Sequence, residues 1–230
     1  MRELQFSVTP EVLNLGVKII TARISDIHNT SENSDFELYK TAELEHIRND
    51  LAQKFAGKKY NDDPILAGFR DLHTKIGRSN RDYVASPENL RRQFLERGRF
   101  PHINTVVDIY NLVSLQAGLA LGAHDIEKIN GNITLRLTSG SEVFVPLGKI
   151  EPEKVFPSEY AYIDDLNNII CRLEVLQVNP TKVTTESSDL FIIIQGNSAT
   201  AADYLRQGAE KVCQLITKYC GGSYLFLNKT

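Results

Sequence analysis

Three polar side chains interrupt the most apolar stretch of this sequence. Asn104, Asp108 and Asn111 stand within and just before Val106–Leu115; on a helix they fall inside an arc of about 60°. An unpartnered buried polar group costs about 1–3 kcal/mol, so the stripe must satisfy nearby backbone, cap the helix start or face a ligand. Small-molecule pockets use the last arrangement, with apolar walls and a few polar anchors. Downstream, Gly118-Leu119-Ala120-Leu121-Gly122-Ala123-His124-Asp125 offers two glycines for turns or close ligand approach, then a histidine beside an aspartate. Neighbours on a strand point to opposite faces, so His124 and Asp125 need not touch. A structural and a catalytic reading of His124 both stay open.

Several chemistries lack their motifs. There is no GxSxG elbow, HExxH helix, P-loop or GxGxxG turn, so no phosphate-cradling loop serves phosphoryl transfer or dinucleotide binding. Cys171, Cys213 and Cys220 are widely spaced and form no CxxC pair. That argues for buried thiols in a reducing compartment, without a disulfide framework or a zinc site. No metal and no cofactor is expected. With no apolar run long enough to span a bilayer and no secretory h-region after Met1, the expected location is the cytoplasm, with no membrane partner.

Helices and strands must position these groups, and their order describes an α+β fold. Leu44, Ile47, Leu51 and Phe55 line one helix face, and Ile65, Phe69, Leu72 and Ile76 line another after an Asp63-Pro64 start. Ser86-Pro87-Glu88 opens a further helix before the apolar one. His28 to Asp35 reads as a loop. Strands are expected at 16–24, 160–163, 169–173 and 190–194, with Ile133–Leu137 and Val143–Val145 as a hairpin around Ser139-Gly140. Ser198 is placed to cap a last helix. The expectation is an antiparallel-rich sheet or barrel-like core packed with helices. It forms one domain over 1–230, with an N-terminal extension to about residue 62 and a core from about 63.

The net charge of −3 disfavours a nonspecific polyanion binder and gives no reason to expect DNA. A local basic surface can still sit on an acidic whole. Between Arg70 and Arg99 lie Arg70, Lys75, Arg78, Arg81, Arg91, Arg92, Arg97 and Arg99, against Asp71, Asp82, Glu88 and Glu96. They are either solvated helix faces or a nucleic-acid contact.

The stretch Phe100-Pro101-His102-Ile103-Asn104-Thr105-Val106-Val107-Asp108-Ile109-Tyr110-Asn111-Leu112-Val113-Ser114-Leu115 resembles the B3/B4 domain of the bacterial phenylalanyl-tRNA synthetase β subunit. The likeness runs on through His124-Asp125 and covers about residues 65 to 196. In the synthetase this domain hydrolyses tyrosine wrongly attached to the phenylalanine tRNA. The resemblance therefore implies an editing or tRNA-binding protein, not an aminoacylating enzyme. Where the family has a Thr-Asn pair, this chain reads Tyr110-Asn111. The family's pocket histidine aligns with Gly122, two positions before His124. Its tyrosine-recognising glutamate falls near Ile192–Gly196, which makes Gln195 the candidate there.

Two functions follow from the resemblance. In the first, a hydrolase acts in trans on mischarged aminoacyl-tRNA, with Asn111 orienting substrate and His124 assisting water. Asn104, Asp108, Tyr110, Gly122 and Gln195 line its pocket, and Arg78, Arg81, Arg91 and Arg92 meet phosphates. In the second, the same pocket binds tRNA or a free amino acid without catalysis. A protein-interaction module on the same fold is a third possibility.

Overall fold

The computed structural model describes residues 3–228. In chain order the elements are β1 (Phe6–Val8), α1 (Pro10–Leu15), β2 (Lys18–Ser25), α2 (Ser34–Lys54), α3 (Pro64–Lys75), α4 (Ser86–Arg97), α5 (Thr105–Ala117) and β3 (Ala120–Asp125). They continue with β4 (Ile133–Leu137), β5 (Tyr160–Asp164), β6 (Ile169–Arg172), β7 (Leu176–Gln177), β8 (Leu190–Gly196), α6 (Ala202–Cys220) and β9 (Ser223–Phe226). Two sheets result, in the orders β1-β4-β5-β6-β7 and β3-β8-β2-β9. Only β1 and β4 run parallel among these pairs. Neither sheet closes on itself, so the fold is α+β with two open sheets and the barrel-like alternative does not hold.

The run at 190–194 becomes β8, buried at every position. Leu190, Ile192 and Ile194 enter a core shared with α5 and α6, while Phe191 and Ile193 enter a second core with the five-stranded sheet. Period-two alternation thus divides one apolar strand between two cores. On one side β8 pairs with β2, from Lys18–Gly196 to Ile24–Leu190. Residues 1–62, read from sequence as an extension, therefore supply an inner strand of this sheet.

Four local expectations need correction. Helix α2 starts at Ser34, inside the expected loop, because Asn33 caps it by accepting from Phe36 N at 3.0 Å. Ser198 lies in a turn before α6, whose N-cap is Ala201. The segment at 120–125, whose one glycine is Gly122, is a strand and no turn. Finally, β4 pairs with β5, not with Val143–Val145. The chain does turn at Ser139-Gly140, held by the Glu142 carboxylate accepting from both backbone N–H groups. Val143 instead bridges Asn168, and Pro146 bridges Val178.

Helix α4 carries a second consequence. Its buried positions are Pro87, Leu90, Arg91 and Phe94, so an arginine occupies the inward stripe. Arg91 is wholly buried; its guanidinium donates to Asp63 at 2.7 Å and to the Leu115 and Gln116 carbonyls. Gly118, at φ +70°, ends α5, and a Cβ there would lie 2.8 Å from Arg91 Nη2. Breaking a buried ion pair by removing one partner costs about 3–5 kcal/mol. Arg91→Ala should lower unfolding free energy by about that amount in urea titration; a loss within ordinary surface-substitution size would contradict the buried placement.

Candidate functional site

A cavity of about 400 Å³ opens where α5, the free edge of the four-stranded sheet and the five-stranded sheet meet. Helix α5 supplies Val107, Tyr110 and Asn111, and β3 supplies Ala120, Leu121 and Gly122. Ile193 and Gln195 come from β8, Tyr162 from β5 and Cys171 from β6, and the 173–177 segment closes another side. Ile103 and Leu147, both more than half exposed, mark its outer rim.

A connected polar network backs these walls. Tyr162 Oη donates to Gln195 Oε1 at 2.6 Å, and Gln195 Nε2 donates to Glu174 Oε2 at 3.2 Å. Tyr160 also donates to Glu174. His73, from α3, brings Nε2 to 2.5 Å from Glu174 Oε1. Burial opposes charge on His73, but the Glu174 carboxylate outweighs it and raises the imidazole above its usual range. A buried charge needs such a partner. Burial lifts the Tyr110 phenol to about 12, so it stays a hydroxyl at neutral pH. Burial, aided by Glu174, also lifts the Cys171 thiol to about 12, so it is no nucleophile there.

A second cavity adjoins the first and shares Ser86, Asn111, Val175 and Leu176 with it. It is more polar and carries Arg81 and Arg92. Arg81 is exposed, and no ion pair engages its guanidinium among the described residues. Arg92 gives one bond, to Asn89 at 2.7 Å, and its Nε is unpartnered.

The structure brings together Tyr110, Asn111, Gly122 and Gln195, all on the first cavity. It does not bring Asn104, Asp108 or His124 there. Asn104 caps α5, accepting from Val107 N and donating to the Val183 carbonyl. Asp108 binds Lys40 at 2.9 Å, His102 at 2.7 Å and the Ile103 N–H at 2.9 Å. Glu37, His102 and Asp108 cluster closely enough to hold an ion, yet the Lys40 ammonium already sits among them, 2.6 Å from Glu37. Burial alone would lower the Lys40 pKa, but the two carboxylates raise it. His124 shares a strand face with Gly122 and is sealed off, bonding Thr181 through Nδ1 at 2.9 Å. Burial pushes it down to about 3, so it is a neutral structural imidazole.

Among the arginines, Arg91 is corrected to an interior residue. Arg78 lies over the Phe156 ring and pairs with Glu159 at 2.5 Å. Of the four, Arg81 and Arg92 border the second of these two cavities. Glu174 and Gln177 were not singled out from the sequence, because nothing local marks an irregular segment as a pocket wall. Gln177 stands against Gly122, and its amide is close enough to act on the Tyr110 phenol.

The class defined by this geometry is an α+β domain with an amino-acid-sized pocket between two sheets and an arginine-bearing groove beside it. The chain belongs to the B3/4 domain family, whose profile matches residues 69–221. It is 39% identical over 68 residues to the phenylalanine–tRNA ligase beta subunit of Photorhabdus laumondii subsp. laumondii, covering 30% of this chain and 8% of that one. It is 28% identical over 144 residues to the same subunit of Wolbachia sp. subsp. Brugia malayi, covering 52% and 18%. The chain thus spans less than a fifth of these curated relatives. The fold matches a crystal structure of an N-terminal fragment of the phenylalanyl-tRNA synthetase beta subunit from Pyrococcus horikoshii. The TM-score is 0.52 at 13% identity, over 97% of this chain and 50% of that one. No helix among the described residues is long and apolar enough to cross a membrane.

His124 carries a pH signature. Its folded pKa of about 3 lies far below the usual 6.5, so below that value the unfolded chain takes up a proton the folded protein refuses. Its contribution therefore reduces stability as pH falls through 6.5 toward 3. In thermal melts, His124→Asn should lose less stability than the wild type over that range. Parallel pH profiles would contradict the assignment.

Proposed function

We propose that this protein binds the aminoacylated 3′ end of a tRNA and hydrolyses the ester of a mischarged amino acid, acting in trans in the cytoplasm. The observation that carries this reading is the pair of adjoining cavities. One is largely apolar and of a size to take an amino acid; the other bears Arg81 and Arg92, beside Asp82, for a sugar-phosphate. An ester linking the two parts would lie at their shared wall, beside Ser86 and Asn111.

An aminoacyl ester is already activated, so the site needs to orient the carbonyl and a water. Water adds to the carbonyl carbon, the carbon–oxygen bond to the ribose breaks, and the departing ribose oxygen takes a proton. The products are the free amino acid and the uncharged tRNA. Asn111, only partly buried, has an amide that can donate to the carbonyl oxygen or position the water. Neither cavity is lined by a histidine, so Ser86 has no imidazole base and a covalent serine intermediate is not part of the scheme. The same lack of a histidine favours the second reading, a binder of aminoacyl-tRNA or free amino acid that performs no hydrolysis.

Release of labelled amino acid from a panel of correctly and incorrectly charged tRNAs separates the two. The hydrolase reading expects selective release that Asn111→Ala reduces by about 10²-fold. No release from any member, at protein concentrations that bind tRNA, would leave only the binder. In either case Arg81→Ala and Arg92→Ala should each reduce the slope of log affinity against log salt by about 0.7, one phosphate's worth for a single strand. An unchanged slope would remove the groove from the tRNA contact.

A further inference from the structure

The cavity contains a bar that neither its apolar walls nor its polar network requires. Gln177, on β7, extends its side chain across to β3, where its Nε2 lies 2.7 Å from the position a Cβ on Gly122 would occupy. The Tyr110 side chain on α5 lines the same cavity, close enough for the Gln177 amide to act on its phenol. One side chain therefore spans two walls built from different elements, through space that any residue larger than glycine at 122 would contest. The Gln177 carbonyl accepts from the N–H of Leu147 at 2.9 Å, which ties the bar to the cavity rim.

We infer that Gln177 is a specificity-determining residue: it sets the size of the aminoacyl side chain that the pocket accepts, and Gly122 is the position that admits it. The inference rests on the reading of the cavity as an aminoacyl site, though not on hydrolysis there. A purely apolar wall discriminates weakly, since one methylene changes selectivity by only about 10–200-fold. A polar bar adds a second filter. A side chain that reaches the amide must either satisfy it or leave it unpaired, and the unpaired case costs binding. Side chains that stop short of the bar lose nothing. Wild-type preference should therefore lie with small and medium side chains, or with longer ones that end in a group able to bond an amide.

Gly122→Ala tests the same contact from the other side. Its new methyl would displace the Gln177 amide in the wild-type background and meet little resistance once that amide is gone. Coupling of this kind appears as non-additivity between neighbours, which a merely structural role for either residue would not produce.

The experiment measures binding of a series of non-hydrolysable adenosine 5′-phosphates carrying amide-linked alanine, valine, leucine, phenylalanine or tyrosine at the 3′ position. Wild type, Gln177→Ala, Gly122→Ala and the double variant are compared, with melting temperatures confirming that each is folded. Gln177→Ala should shift the phenylalanine-to-valine affinity ratio by about 10-fold or more toward the larger side chain. Gly122→Ala should weaken binding in the wild-type background and have little effect beside Gln177→Ala. A parallel change across the series, or an equal effect of Gly122→Ala in both backgrounds, overturns the inference. Binding is read without turnover, so a wild type that binds the series but releases no amino acid from charged tRNA refutes hydrolysis while the Gln177 result stands. A folded wild type that binds no member overturns both.

Discussion

A strand that is dry on both faces can carry polar side chains only where a partner or a cavity receives them, and β8 organises the protein under that constraint. Its alternate residues enter two different cores, and its neighbours follow the same parity. Ile20, Ala22 and Ile24 of β2 join Leu190, Ile192 and Ile194 on the α5 and α6 side, while Ile19 joins Phe191 and Ile193 on the other. Gln195 continues the second face and is its one polar side chain. It is satisfied by Tyr162 and Glu174 across the gap between the sheets. The candidate pocket occupies the place where this face meets the free edge at β3, whose Gly122 puts no side chain into the space.

The interior holds more charge than the hydrophobic pattern suggests, and its buried cations meet carboxylates. Arg91 meets Asp63, Arg172 meets Glu159, Lys40 meets Asp108, and His73 meets Glu174. Such pairs are weak contributors to stability, since desolvation offsets most of the attraction. They do fix geometry, because moving either partner strands a buried charge. The Glu174 network draws on α3, β5, β8 and the 173–177 segment, so the pocket wall is held by elements distant in sequence. The Asp108 cluster likewise fixes the start of α5, and with it the direction in which Tyr110 and Asn111 point.

Much of this was legible in the residues. The apolar runs gave α5 and β8, and the Asp-Pro and Ser-Pro starts gave α3 and α4. The polar stripe on α5 was real, but its members divide: Asn104 and Asp108 are held by backbone and Lys40, and Asn111 alone reaches the cavity. A helical arc specifies a face and not what the face meets. Arg91 could have been placed inside, since Pro87, Leu90, Arg91 and Phe94 follow the inward spacing of a helix; its charge argued otherwise until Asp63 was seen to answer it. Strand β3 was hidden by Gly118 just before it and Gly122 within it, which suggest turns. Glu174 and Gln177 had no local signal, because Glu174 is answered by His73, Tyr160 and Gln195 and Gln177 stands against Gly122, all on other elements.

The central claim is that two adjoining cavities take the two halves of one ligand. Calorimetry should compare three compounds: an amino acid amide, adenosine 5′-phosphate, and the two joined by a non-hydrolysable 3′ amide link. The account predicts that the joined compound binds at least about 10²-fold tighter than either half, as expected when one linkage satisfies two sites. It also predicts that Arg81→Ala with Arg92→Ala removes most of that gain. Equal affinity for the joined compound and the amino acid amide would contradict it, and would leave a pocket for a small molecule alone.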